Sequence, residues 1–370
     1  MPKYRKNART PKIIHIACII FFALLFILHS AYMYKTTDGL DTLHLALFLI
    51  GVFIVQMLFY VIIALGFLIC GKLSGYKLSS MRIAFMKWQK DKNGKIKVST
   101  TNERGPSARC AMSPPDMKDG KFPYLLHSHG LLISSSVCII ISAIFLAFNF
   151  NTPVISSLLL LLIFSLLTSA VLDITVGNAK LAKDAKNSPA AIRGIWLFCK
   201  ISDPEFSDLG LGSLPDEWFD IPLDVDTTTY WESYYIFFTG SRLLTKKEFE
   251  KAIAAFDKLL DPSANIYYFQ YLNAVTERLF CELMTNRSPE VIQKLYTEEL
   301  KKHLSNVRSY TNLCRNYAFT LFIEKNPSGA AQIKAEFFEV SKNSPCQGDV
   351  HDETELLLLA ENKYFSEIKN

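Results

Sequence analysis

The chain has 370 residues, half of them hydrophobic, with a net charge of +5 and a positive mean hydropathy of +0.17. That balance excludes an ordinary soluble globular protein and points to the membrane class. No basic face stands out on a soluble stretch, which argues against a nucleic-acid partner. The eight cysteines contain no C-x-x-C pair and no zinc-type or disulfide-framework spacing, so reduced, mostly buried thiols are expected.

Residues 1–12 carry Lys3, Arg5, Lys6, Arg9 and Lys12 without an acid, and an apolar run over 13–33 follows. Its length, and the lack of a small-residue cleavage site after it, favour an uncleaved span over a signal peptide. A second span is predicted over 45–70. The charge then changes abruptly, because Lys72, Lys77, Arg82, Lys87, Lys90, Lys92, Lys95, Lys97, Arg104 and Arg109 all fall within residues 72–124. Lysine and arginine accumulate on the cytoplasmic side of membrane proteins, so this insertion and the N-terminus are both expected there. Within it, Arg82–Gln89 and Lys95–Ser99 alternate in polarity around Asp91-Lys92-Asn93-Gly94, the pattern of a small cytoplasmic β-hairpin. Residues 105–123 are rich in Gly, Pro and Ser and read as an irregular loop.

Spans three and four are predicted over 131–150 and 154–176, joined by the tight turn Asn151-Thr152-Pro153. The expected fold is therefore mostly α: a four-span membrane domain, residues 1–194, followed by a cytoplasmic, repeat-like α-helical domain, residues 195–370. In the second part, Leu214-Pro215-Asp216-Glu217-Trp218-Phe219 reads as a loop with an aromatic anchor, and Tyr230–Thr239 as an aromatic helix. Gly240 is expected to close that helix, and Thr245 with Glu248 to form a capping box that opens the next. Ser288-Pro289 and Asp352 with Glu355 mark two later helix starts.

The stretch from Leu65 through Gly66, Leu68, Ile69, Gly71, Leu73, Gly75 and Tyr76 to Arg82-Ile83 resembles the active-site helix and following loop of bacterial membrane zinc metalloproteases of the site-2 protease type. Cys110, Pro114, Pro115 and Asn178 extend the resemblance, which covers roughly residues 45–200. It implies a metal held by two histidines of a His-Glu-x-x-His helix and by the aspartate of an Asn-Asp-Gly segment, with the glutamate as general base. On those positions this chain has Ile63, Ala64, Phe67 and Ala179. None of these side chains can bind zinc or move a proton.

The resemblance thus implies a degenerate, catalytically inactive member: a pseudoprotease with no cofactor that binds a transmembrane or small peptide, or an active membrane protease, in a regulatory, scaffold or immunity role. It would sit in the cell membrane as a multi-pass protein with both termini cytoplasmic. The alternative is an active metalloprotease whose zinc ligands have moved to His127, His129 and Asp173. An ionisable group inside a span such as Asp173 is a functional hypothesis by default, but an interfacial placement of His127 and His129, with Asp173 near enough to the span's end to meet water or a lysine, is the stronger explanation of all three.

Overall fold

The computed structural model describes residues 42–90, 95–100, 108–203, 206, 208–285, 288–342, 344 and 346–369, with seven isolated helical positions between 13 and 31. The predicted first span and the Asp91–Gly94 turn lie largely or wholly outside the described residues. The chain divides into two compact units, Lys6–Lys186 and Asn187–Asn370. The second unit therefore takes in residues 187–194, which the sequence reading assigned to the membrane domain.

In the first unit, α1 (Thr42–Leu73) leads into four strands, β1 (Lys77–Ile83), β2 (Met86–Lys90), β3 (Ile96–Thr100) and β4 (Ala108–Ser113). The helices α2 (Tyr124–Ser128), α3 (Gly130–Asn149), α4 (Pro153–Thr175) and α5 (Asn178–Ala185) follow. Among the described residues, three stretches are long and apolar enough to cross a membrane: Ala46–Leu73, Gly130–Asn149 and Pro153–Ala185. They suggest a membrane-embedded protein and match the predicted second, third and fourth spans in place. The turn between α3 and α4 closes through the Thr152 amide, which donates to the Asn149 carbonyl at 3.0 Å.

The helices meet where side chains are small. A Cβ added at Gly130 would lie 2.8 Å from the Gly66 carbonyl oxygen, and one at Gly66 only 2.4 Å from that of Gly130. Backbones of α1 and α3 thus touch directly, the arrangement expected where lipid gives no hydrophobic drive and close packing must supply the attraction. Around this contact, Ile62, Leu162 and Leu166 form a buried cluster.

The sheet corrects two sequence expectations. It is a four-stranded antiparallel sheet in the order β3-β2-β1-β4, not a single hairpin. The predicted first strand, Arg82–Gln89, is broken by a two-residue turn at Ala84-Phe85, where Ile83 pairs with Met86 and Ala84 takes a φ of 53°. A non-glycine residue at positive φ leaves no sequence signal. The supposed loop over 105–123 contains β4, which pairs with β1 through Met81 and Cys110.

The second unit is a run of antiparallel helices: α6 (Pro189–Ile201), α7 (Tyr230–Thr245), α8 (Phe249–Leu260), α9 (Tyr268–Met284), α10 (Pro289–Leu295), α11 (Glu298–Asn306), α12 (Tyr310–Phe322), α13 (Pro327–Lys342) and α14 (Gln347–Lys369). Its core is aromatic and aliphatic, with Tyr235, Ile236, Phe256, Phe280, Phe319 and Phe337 fully buried. Helix starts follow the capping rules, though not always at the predicted residue. Ser288 caps α10, with its hydroxyl accepting from the Val291 amide, as expected.

The capping box belongs to α7 and not to α8: the Thr229 hydroxyl accepts from the Glu232 amide at 3.2 Å, while Glu232 accepts from the Thr229 amide at 2.8 Å. Thr245 is instead the last residue of α7, and Glu248 makes no side-chain cap. Lys247, at a φ of 64°, turns the chain there. Gly240 does not close a helix either. It lies within α7, where a Cβ would come within 3.0 Å of the Phe256 ring. Finally, α14 begins at Gln347, which places Asp352 and Glu355 inside the helix.

Candidate functional site

The positions singled out by the metalloprotease resemblance cluster at the end of α1. Ala64 is completely buried, and Ile63 and Phe67 are half-buried. The Phe67 ring meets the edge of His127, with centroids 5.8 Å apart, and His127 stacks on Tyr76 at 4.5 Å. This aromatic group is made possible by Gly71, where a Cβ would lie 2.3 Å from the Met112 sulfur and 3.0 Å from His127 Nδ1.

The same residues close the helix. Gly75 takes a φ of 80°, its amide donates to the Lys72 carbonyl at 3.0 Å, and the Tyr76 amide reaches back to the Gly71 carbonyl at 2.9 Å. Those two bonds form a Schellman motif, which satisfies otherwise orphaned carbonyls at a helix end. Gly71, Gly75 and Tyr76 therefore each have a local structural use. Cys110 lies in β4, Pro114 is buried just beyond that strand, and Pro115 is half-buried.

Ala179 occupies the second part of the site, in the first turn of α5. Its amide donates to Asp173 Oδ1 at 3.3 Å, and the Asn178 amide also interacts with that carboxylate. Asp173 is buried and caps α5 from the end of α4, supplying an acceptor to amides that have no partner within their own helix. Gly177 lets the chain fold over it, since a Cβ there would sit 2.5 Å from Asp173 Oδ1. Asn178 is exposed, and Lys180 forms an ion pair with Asp184 one turn on. The two parts are joined by α2, which packs against both α1 and α5.

The alternative ligand set is placed as follows. His127 is held between Phe67 and Tyr76, and burial lowers its pKa, favouring the neutral ring. Its Nδ1 has no hydrogen-bond partner among the described residues. His129 turns Nδ1 to the Leu125 carbonyl at 2.7 Å. Asp173 already spends one oxygen on α5. Among the described residues, no group of three or more His, Cys, Asp or Glu side chains is placed to hold a metal ion. Ile63, Ala64, Phe67 and Ala179 offer only hydrocarbon side chains, which do not fit zinc.

A different concavity, without a signal in the sequence, lies in the second unit. This cavity of about 420 Å³ is walled by Phe237, Phe238 and Phe269 on one side and by Glu277, Asp349 and Glu353 among others on the second. Beneath it, fully buried Arg315 donates from Nε to Glu277 at 2.7 Å and from Nη1 to Glu353 at 2.6 Å. Burial, together with Glu353 and Asp352, pushes the Asp349 carboxyl up to about 6. Carboxylates outnumber the single arginine here, so the cavity suits a cationic group flanked by apolar surface.

The Leu214–Phe219 segment is likewise structural. Trp218 packs on Trp196 at 4.7 Å and on Phe206 at 5.2 Å, and Arg242 donates to the Leu214 carbonyl at 2.7 Å. No protein-family model matches this chain, and no curated protein and no solved structure is significantly similar to it.

Proposed function

We propose that this chain is a membrane-embedded binding protein with a protease-like core that carries no protease chemistry. One observation supports the reading: hydrocarbon occupies the positions where ligands and base would stand, with Ala64 wholly buried and Phe67 packed on His127. Ile63, Ala64 and Phe67 supply no donor atom, and the one imidazole beside them, His127, is a single ligand, too few to hold a divalent ion against its hydration.

In this reading the protein sits in the cell membrane as a multi-pass chain with both termini and the sheet cytoplasmic. It engages a transmembrane or small peptide, or an active membrane protease, without cutting it. The acid-lined cavity of the helical unit offers a place for a basic segment of such a partner.

The experiment is metal analysis of the purified full chain together with incubation against a membrane peptide. Expected are less than stoichiometric zinc and an intact peptide. Stoichiometric zinc with chelator-sensitive cleavage, abolished by His127→Ala, His129→Ala or Asp173→Ala, would overturn the reading in favour of relocated ligands.

A further inference from the structure

The antiparallel register sorts the sheet's side chains onto two faces, because directly paired residues share a face and successive residues alternate. The pairs Met81↔Trp88, Ile83↔Met86, Trp88↔Val98 and Lys90↔Ile96 place Met81, Ile83, Met86, Trp88, Ile96 and Val98 on one face, with Lys90 the basic residue at its end. The pairs Arg82↔Lys87, Arg82↔Arg109 and Gln89↔Lys97 place Arg82, Lys87, Arg109 and Lys97 on the other. No acidic residue occurs in any of the four strands.

The apolar face is open toward its β3 edge, while Met81, Ile83 and Trp88 are half-buried. Ile96 is 58% exposed and Val98 57%, and Phe85 in the adjoining turn is 59% exposed. These residues lie at or near the free side of the sheet, since β3 is an edge strand while β1 and β4 are the strands that pack on α1.

Continuity with the span identifies what covers this face. The sheet leaves α1 after only Ser74, Gly75 and Tyr76, and the last residue of the apolar helix, Leu73, is 74% exposed. A large aliphatic side chain so exposed at the end of a span belongs against lipid, so the bilayer surface reaches the level where the sheet begins.

We propose that the sheet is an interfacial membrane-binding device, with the Trp88–Val98 face seated at the headgroup and acyl boundary of an anionic leaflet. The exposed basic side chains at the sheet's margins, Lys90, Lys97 and Arg109, extend to lipid phosphates, while Arg82 is buried. It is the sheet counterpart of an amphipathic interfacial helix: tryptophan marks the boundary layer, long basic side chains snorkel, and anionic lipid adds attraction. This inference rests on the membrane-spanning helices and not on the protease resemblance.

The test uses the full chain in phosphatidylcholine vesicles containing about 30 mol% phosphatidylglycerol, an anionic fraction that gives a strong surface potential. The Trp88 signal is taken as the difference between the unaltered chain and Trp88→Phe. Expected is quenching by acyl-chain bromine, stronger when the bromine lies near the headgroup than at the bilayer centre. Ile96→Asp with Val98→Asp, two exposed edge positions whose change spares the core, should abolish it.

Neutralising Lys90, Lys97 and Arg109 to Gln should lower the docked-to-undocked ratio by about fivefold per charge. Access of aqueous iodide to Trp88 without bromine quenching would overturn the proposal. Protection from both quenchers would overturn it as well, in favour of a protein partner or a second copy on this face. Quenching indifferent to the neutralisations would overturn the role given to anionic lipid.

Discussion

The two units join their helices in different ways. In Lys6–Lys186 the outward surface is greasy, with Phe148 84% and Ile140 61% exposed, and hydroxyls inside the helices turn back on their own backbone. Ser165 donates to the Leu161 carbonyl and Thr168 to that of Phe164, each at 2.8 Å. Contacts between helices rest on glycine, as at Gly66 and Gly130. In Asn187–Asn370 the greasy groups are inside, and the long-range polar link is ionic: Arg315 binds Glu277 on α9 and Glu353 on α14. Hydroxyl back-bonds of the same kind recur in the second unit, from Thr239 to the Tyr235 carbonyl at 2.9 Å and from Thr276 to that of Leu272 at 2.8 Å. The difference therefore lies between helices: glycine contact in one unit, and in the other a buried ion network that ties three helices into one register.

The strongest way to break that comparison is Arg315→Met. It would leave Glu277 and Glu353 buried without their counter-charge, at a cost of about 3–5 kcal/mol, read as a fall in the unfolding midpoint of the full chain. Replacing Glu277 and Glu353 by Leu in the same variant should recover most of the loss, because an apolar substitute for the whole network removes the desolvation penalty.

In the membrane unit the corresponding disruption is Gly130→Val. Its side chain would have to enter backbone contact with Gly66, and the cost is about 1–3 kcal/mol, the range for forcing extra atoms into a packed contact. The variant should loosen α1 from α3, as measured by cross-linking between the two helices. Gly75→Ala is the control: nothing lies within 4 Å of a Cβ there, and the positive φ alone should cost about 1 kcal/mol.

Asp349 sharpens the comparison through pH. Its carboxyl is raised from an ordinary 3.8 to about 6, so between those values the folded chain binds more proton than the unfolded one and stability falls as pH rises through the window. Asp349→Asn should therefore gain about 1–2 kcal/mol at pH 7, and the gain should vanish toward pH 4. Unfolding curves at the two pH values decide it. The smallest effect is expected from Lys180→Ala, which removes an exposed pair with Asp184 and should shift stability by at most about 0.5 kcal/mol.

Much of this division is legible in the sequence, because unbroken apolar runs and lysine clusters are long-range signals that survive averaging. The helices at 42–73, 130–149 and 153–175 follow from such runs. The sheet is only half legible: the alternation around Asp91–Gly94 shows two strands, but the turn at Ala84-Phe85 uses no glycine or asparagine, and β4 is written in Gly-Pro-Ser neighbours that read as loop.

Capping errors have a similar origin. Thr-x-x-Glu occurs at Thr245 as well as at the preceding Thr228-Thr229 segment, and only the packing of α7 on α6 and α8 decides which pair is used. At the candidate site, the apolar character of Ile63, Ala64, Phe67 and Ala179 is visible at once. That Asp173 caps α5 depends on a contact six residues apart, and that Gly71 and Gly75 serve a helix end depends on the positive φ taken at Gly75. The Arg315 network spans 38 positions in each direction, and nothing local marks its charges as inward.

The Schellman closure at Gly71–Tyr76 has a mechanical consequence. A joint stiffened by two backbone bonds and one stacked ring does not swivel, so the orientation of the sheet is slaved to that of α1. Any tilt or roll of the span within the bilayer is delivered to the sheet as a lever stroke, in which the rotation at the pivot reaches β3 undiminished. A partner that leans on α1 inside the membrane would thereby be felt at its surface, with the sheet as the pointer of the gauge.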